Sequence, residues 1–229
     1  MPAGFKTFEA RARNGGLIPV WRDVMLDADT PVAAFHRLRR GPFAFLLESA
    51  PAGGDTWARY TFMGSEPSAA WRLLDGTVED WTAEAGWHGA RTPADPLTDL
   101  RTILAAMHPA DAPEVGAFWA GAVGYFAYDV VRHLERLPHA PPRGVRAPDA
   151  IVMFPRTVVI IDNLRAQARV VCGVQVPAGA DDALIRAAWD DGLASIDRTI
   201  AQLRAGPSLA PLDLDPAATP ATGKSSMTR

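Results

Sequence analysis

Two long runs of β-branched residues, between residues 150 and 176, limit the possible folds of this chain more than any other stretch. The runs read AIVMFPRTVVIID and RAQARVVCGVQV, and they meet at Asp162 and Asn163. β-Branched side chains favour strands, and Asp and Asn favour the tight turns that join antiparallel strands. The pattern therefore predicts a hairpin of two largely buried strands.

Further turn signals predict more antiparallel pairs. Asp75 and Gly76 separate the strand-like runs SAAWRLL and TVEDWTA, which is a strong hairpin pattern. The run FAFLLES, residues 43–49, predicts a strand buried on both faces. After the turn sequence APAGGDT, the run ARYTFMG, residues 58–64, predicts the strand that folds back on it.

Helices are predicted between these strands and after them. Thr30 can cap a short helix with Val32, Phe35 and Leu38 on its core face, and Asp95 can cap a second helix. A third helix has apolar residues at every third or fourth position. Its predicted core stripe is Ile185, Trp189, Leu193, Ile196, Ile200 and Leu203.

This order of elements predicts an α+β fold in which antiparallel, sandwich-like β-sheets carry inserted and flanking helices. Residues 1–16 are expected to form an N-terminal extension, and residues 17–205 one domain. Residues 206–229 are rich in Pro, Ala, Ser and Thr without periodicity, so we expect a linker or tail there.

Composition excludes several classes of protein. The net charge of −3 lacks the basic excess of a nucleic-acid-binding protein, and no apolar run reaches the ~20 residues of a membrane span, so we expect a cytoplasmic protein. Cys172 is the single cysteine, which rules out an intramolecular disulfide. Gly121 and Gly124 in GAVGYFAYD lack the third glycine of a dinucleotide-binding fingerprint.

One candidate site follows from the predicted pairing of residues 43–49 with 58–64. The fold-back brings the hydroxyl of Ser49 and the guanidinium of Arg59 to the same end of the two strands. A hydroxyl and a guanidinium together can hold a carboxylate. The alternative is structural, with Arg59 paired to Glu48 or Asp55.

A second candidate lies in the segment YDVVRHLE. Asp129 and Arg132 are three residues apart, so they can pair on one face of a helix. The pair is either a surface ion pair or part of a polar cluster where another domain docks, and the spacing leaves both interpretations open.

Four motifs occur together and in order: FLLESA, ARYTFMG, GAVGYFAYDVVRHLERLP and SSMTR. In this set the chain resembles component I of anthranilate synthase, from about Pro19 to its last residue. The resemblance is to the N-terminal domain of that family, and SSMTR is where full-length members continue into the chorismate-binding catalytic domain.

The resemblance implies an enzyme that makes anthranilate and pyruvate from chorismate and ammonia in tryptophan biosynthesis. Glutamine would supply the ammonia through a separate amidotransferase subunit, component II. Mg²⁺ and the catalytic residues would belong to the catalytic domain, so none is assigned here and no turnover is expected from this chain alone.

By the same resemblance, this domain would carry part of the feedback site for the effector L-tryptophan. Leu46, Leu47, Ser49 and Arg59 match the family's residues there. Residues expected near the domain interface are Glu48, Tyr60, Tyr128, Asp129 and Arg132.

Two alternatives to this function stay open. One is aminodeoxychorismate synthase component I, a relative in folate synthesis with the same fold, since seven tryptophans are a heavy demand on an enzyme needed when tryptophan is scarce. The other is a stand-alone module that binds an amino acid without catalysis.

Overall fold

A computed structural model describes residues 4–26, 29–49, 59–116, 118–139, 146–205 and 209. The predicted linker, residues 206–229, lies outside the described residues apart from residue 209. In chain order the elements are α1 (Phe5–Ala12), β1 (Gly16–Met25), α2 (Pro31–Leu38), β2 (Ala44–Glu48), β3 (Tyr60–Ser65), β4 (Ala69–Leu74), β5 (Thr77–Thr82), β6 (Gly86–Arg91), α3 (Pro96–Ala106), β7 (Val123–Phe126), a 3₁₀ helix (Tyr128–His133), β8 (Ala150–Phe154), β9 (Thr157–Asp162), β10 (Gln167–Val176) and α4 (Asp182–Ala205).

The described strands form two five-stranded sheets, with the orders β1-β10-β9-β3-β2 and β6-β5-β4-β8-β7. Every pairing within these two sheets is antiparallel. The predicted α+β class with antiparallel sheets is therefore confirmed.

The two turns predicted from sequence join β4 to β5 and β9 to β10, but the first β-branched run divides after Phe154 into β8 and β9, which belong to different sheets. Asp75 and Gly76 both have positive φ, 52° and 76°, as the tightest hairpin turns require. Asp162 ends β9 and pairs with Gln167 at the start of β10. Both hairpins form because the local sequence supplies strand formers on each side of a turn.

Helix α4 covers one face of the first sheet. Ile185, Trp189, Ile196, Ile200 and Leu203 of the predicted stripe are buried. At Gly192 the helix lies so close to the sheet that an added Cβ would come within 3.0 Å of the Cγ2 atoms of Val20 and Val174.

Helix α1 falls within the segment expected to be an N-terminal extension. Phe8 and Ala12 are buried, and the ring of Phe8 packs 5.3 Å from the ring of Trp189 in α4. Residues 5–12 therefore contribute to the same hydrophobic core as the sheet and α4.

Two burial predictions were wrong. Strand β2 is an edge strand of its sheet among the described residues, so Leu47 and Glu48 are exposed rather than buried on both faces. Val32 was placed on the core face of α2, but its side chain is 48% exposed, while Ala34 and Leu38 are the buried positions of that helix.

None of the helices in the described part of the chain is both long and apolar enough to cross a membrane.

Candidate functional site

Ser49 and Arg59 lie at the same end of the β2–β3 pair, as their spacing predicts. Glu48 pairs with Thr61, so the next position places Ser49 opposite Tyr60. The amide and the hydroxyl of Ser49 both donate to the carbonyl oxygen of Tyr60, at 3.1 Å and 2.8 Å. Residues directly opposite in an antiparallel pair share a face, so Ser49 lies on the Tyr60 side of the sheet.

The guanidinium of Arg59 is held by Asp162. Its Nε lies 3.2 Å from each carboxylate oxygen, and its Nη2 donates to Oδ2 at 2.7 Å. The same guanidinium lies over the ring of Tyr60, 4.7 Å from the centroid. The structural alternative named Glu48 or Asp55 as the partner of Arg59; the partner in the structure is Asp162, and Asp55 lies outside the described residues.

Asp162 lies beside Arg59 because strand β9 ends there, at the β9–β10 turn. Asp162 pairs with Tyr60 across β9 and β3, so the two side chains share a face. The amide of Asn163 donates to the carbonyl of Arg59 at 2.8 Å, and its side-chain nitrogen donates to Thr61 Oγ1 at 3.2 Å. The turn thereby fixes the backbone of Arg59 as well as its side chain.

Electrostatics support a strongly ionised pair. The hydrogen bond from Arg59 holds the pKa of Asp162 below its usual value, against a smaller opposing effect of burial. The same bond raises the pKa of Arg59. Both groups therefore stay charged at neutral pH, and each can attract a ligand group of opposite charge.

The pair borders an open cleft of about 270 Å³ on this face. That volume is close to the lower end of the ~300–1,000 Å³ typical of small-molecule sites. Aromatic rings form part of its surroundings, and Phe62 meets Phe118 edge to face at 5.5 Å. The residues that line it include Tyr60 and the charged residues Asp23, Arg59, Glu114, Asp162, Arg165 and Arg169.

The two leucines predicted for the same site lie on opposite faces of β2. Leu47 pairs with Phe62 and is 46% exposed on the face of the cleft. Leu46 pairs with the fully buried Met63 and packs against the core. Successive side chains of a strand alternate, so Leu46 cannot share a binding surface with Leu47 and Ser49.

The remaining predicted interface residues lie elsewhere. Tyr128, Asp129 and Arg132 belong to the 3₁₀ helix that follows edge strand β7, whereas Glu48 and Tyr60 belong to the other sheet. Arg132 Nε donates to Asp129 Oδ1 at 2.9 Å, so the predicted pair forms. Tyr128 is 91% exposed.

A metal site is not formed by the residues that the structure describes. Within them, no group of three or more His, Cys, Asp or Glu side chains is close enough together to hold a metal ion.

Comparison with known proteins finds relatives in the family that the four sequence motifs resemble. Anthranilate synthase component 1 of Acetivibrio thermocellus is 31% identical to this chain over 195 residues, which are 84% of the chain and 38% of the relative. The same protein of Mycobacterium bovis is 32% identical over 205 residues, 86% of the chain and 38% of the relative.

The chain resembles an N-terminal-type part of anthranilate synthase component 1. It spans about two fifths of the length of these curated relatives. No family model matches the chain.

A crystal structure of anthranilate synthase component I from Streptococcus pneumoniae TIGR4 also matches, with a TM-score of 0.48 and 21% identity. The match covers 86% of this chain and 41% of that protein.

Sequence reasoning missed Asp162 as part of the site. Asp162 ends the second β-branched run, so the sequence did mark it as a turn residue. Its position beside Arg59 depends on β3 pairing with β9, which no local pattern indicates.

Proposed function

We propose that this chain is the regulatory and scaffolding N-terminal part of an anthranilate synthase component I. The complete enzyme would convert chorismate and glutamine-derived ammonia into anthranilate and pyruvate for tryptophan biosynthesis. The observation that carries the proposal is the 31–32% identity over more than four fifths of this chain to curated component 1 proteins. The named relatives favour this enzyme over aminodeoxychorismate synthase.

Catalysis would reside outside the described residues. Chorismate, Mg²⁺ and the amidotransferase subunit, component II, would be partners of the complete enzyme. The 229-residue chain alone would not turn over chorismate. Production of anthranilate by the purified chain with chorismate, Mg²⁺ and ammonium would contradict this part of the proposal.

Part of the feedback site for L-tryptophan would be formed at the cleft beside Ser49 and Arg59. A guanidinium is suited to a carboxylate, and the rings of Tyr60 and Phe62, which line the cleft, offer contacts to an aromatic side chain. Leu47 supplies apolar surface on the same face, whereas Leu46 would act from the core by supporting the strand. Tryptophan bound here would favour one arrangement of the complete enzyme and so lower its affinity for chorismate.

The face around the 3₁₀ helix would contact the remainder of component I. Tyr128, Phe126 and Leu134 are more than half exposed, which is unusual for large apolar side chains so close together in sequence. The exposed Asp129–Arg132 pair adds polar groups to this face. We infer that this face binds the remainder of component I, because the chain spans only about two fifths of the length of its relatives.

Calorimetric titration of the chain with L-tryptophan tests the effector site. We expect binding in the range of about 0.1–1 mM, since part of the site would come from elsewhere. Ser49→Phe should weaken it at least about tenfold, because Ser49 lies opposite Tyr60, which lines the cleft, and the new ring would extend on the same face. Thr102→Phe adds the same ring to an exposed position of α3 and should leave binding unchanged. Absence of any binding by the unchanged chain would refute the effector site.

A further inference from the structure

We propose that Asp162 is a specificity residue of the cleft and binds the α-ammonium group of an amino acid whose carboxylate is bound by Arg59. This inference rests on the effector site proposed above and extends it to a residue that the motif pattern did not assign. The side chains involved already face one another across the strand ends, 2.7 Å apart at their nearest atoms.

The hydrogen bonding of the pair leaves capacity for a ligand on both partners. Arg59 uses Nε and Nη2 toward Asp162, so Nη1 and the second proton of Nη2 are not needed by this pair. Nε is shared between both carboxylate oxygens. Oδ2 accepts from Nη2 at 2.7 Å, and because a carboxylate oxygen can accept more than one hydrogen bond, Oδ2 can also accept from an ammonium group while Arg59 stays attached.

The charges that line the cleft balance, and this favours a zwitterion over an ion of one sign. Three arginines and three acidic residues contribute to the lining. A ligand with one positive and one negative group keeps that balance, whereas a monocarboxylate or an amine disturbs it. The charged lining residues are Arg59, Arg165, Arg169, Asp23, Glu114 and Asp162.

The position of Asp162 distinguishes it from the other two acids. Asp23 is bound by Arg169 at 2.6 Å, and Glu114 is bound by Arg11 at 2.8 Å, so each has its own arginine. Asp162 is bound by Arg59 at 2.7 Å and lies 3.9 Å from Arg165, and it differs because Arg59 is also the proposed partner of the ligand carboxylate. Only 15% of its side chain is exposed. The ammonium group of the ligand would therefore meet Asp162 when its carboxylate meets Arg59.

Removal of the charge of Asp162 should reverse the preference of the cleft. Asp162→Asn keeps the oxygen that accepts from the amide of Leu164 and so preserves the turn. The probes are L-tryptophan and indole-3-propionate, which has the same ring and carboxylate without the ammonium group. We expect the variant to bind L-tryptophan at least about tenfold more weakly and indole-3-propionate more tightly than the unchanged chain.

Asp197→Asn is the matched control, since Asp197 forms an equivalent pair with Arg22 on α4 and β1, outside this cleft. It should alter neither affinity. The unchanged chain should also prefer L-tryptophan to indole-3-propionate, and this comparison needs no variant. Equal binding of the two probes, or an Asp162→Asn variant with unchanged preference, would overturn the role of Asp162.

The two proposals fail in different ways. If the unchanged chain binds no L-tryptophan, the effector site and the role of Asp162 are both wrong. If it binds L-tryptophan and Ser49→Phe abolishes binding, but Asp162→Asn does not change the preference, the effector site stands and only the role of Asp162 is wrong.

Discussion

Gly124→Ala should destabilise the fold severely, because strand β7 has no room for a methyl group there. An ideal Cβ at Gly124 would lie 1.9 Å from the carbonyl oxygen of Ile151 and 2.6 Å from the Cα of Val152. An acceptable contact between carbon and oxygen is about 3.3 Å, so the strands would have to separate by about 1.4 Å. β7 pairs with β8 through only four residues, and such a movement breaks their ladder.

The expected cost follows from the lost ladder. Loss of two to four backbone hydrogen bonds at about 1 kcal/mol each lowers the free energy of unfolding by about 2–4 kcal/mol. Urea unfolding followed by circular dichroism measures this quantity. Gly4→Ala is the control, because its added methyl group has nothing within 4 Å. A loss below about 0.5 kcal/mol for Gly124→Ala would refute the steric argument.

Two further predictions concern stability. The hydrogen bond from Arg91 holds the pKa of Asp99 below its usual value, so the pair stabilises the fold above the ordinary carboxyl pKa. This stabilisation is lost as the pH falls through the lowered pKa of Asp99. Asp99→Asn should therefore flatten the acid side of a stability–pH profile measured by urea unfolding, and an unchanged slope would contradict this role of the Arg91–Asp99 pair. Ile196→Ala should lower the free energy of unfolding by about 2–5 kcal/mol, because Ile196 is fully buried. Leu184→Ala in the same helix should lower it by less than about 1 kcal/mol, because Leu184 is 45% exposed. Equal unfolding free energies of the two variants would contradict the packing described for α4.

Much of the fold could be predicted because the decisive signals are local. Thr30 accepts from the amide of Ala33, and Asp95 accepts from the amides of Leu97 and Thr98, as their positions before Pro31 and Pro96 suggest. These caps and the two hairpin turns depend on a few consecutive residues each. Their geometry therefore does not depend on the rest of the chain.

The order of strands in each sheet could not be predicted in the same way. Strand β1 pairs along its whole length with β10, so Gly16 lies opposite Val176. No turn joins these strands, and their pairing depends on burial of a shared apolar surface beneath α4. The same absence of a local signal explains why β2 was expected to be buried on both faces, although it lies at an edge of its sheet and its last two residues are exposed.

The candidate site was predictable only in part for the same reason. Ser49 and Arg59 are joined by one fold-back of the chain, so their spacing was sufficient to bring them to one strand end. Asp162 lies 103 residues after Arg59 and reaches it through the β3–β9 pairing. A sequence pattern identifies which residues turn the chain, but the partner of a charged side chain follows from the sheet order.

The Arg59–Asp162 pair affects both the stability of the fold and the position of the Arg59 guanidinium, and a measurement of stability alone does not separate these two effects. A pair at an exposed strand end contributes little to stability, and replacement of either partner should change the free energy of unfolding by less than a buried residue would. The same pair, together with the ring of Tyr60, holds a long flexible guanidinium in one place before any ligand arrives. Such preorganisation lowers the entropy that a ligand must overcome on binding. Asp162→Asn is therefore informative through the ratio of its affinities for the two probes, because loss of a merely structural pair would weaken both together.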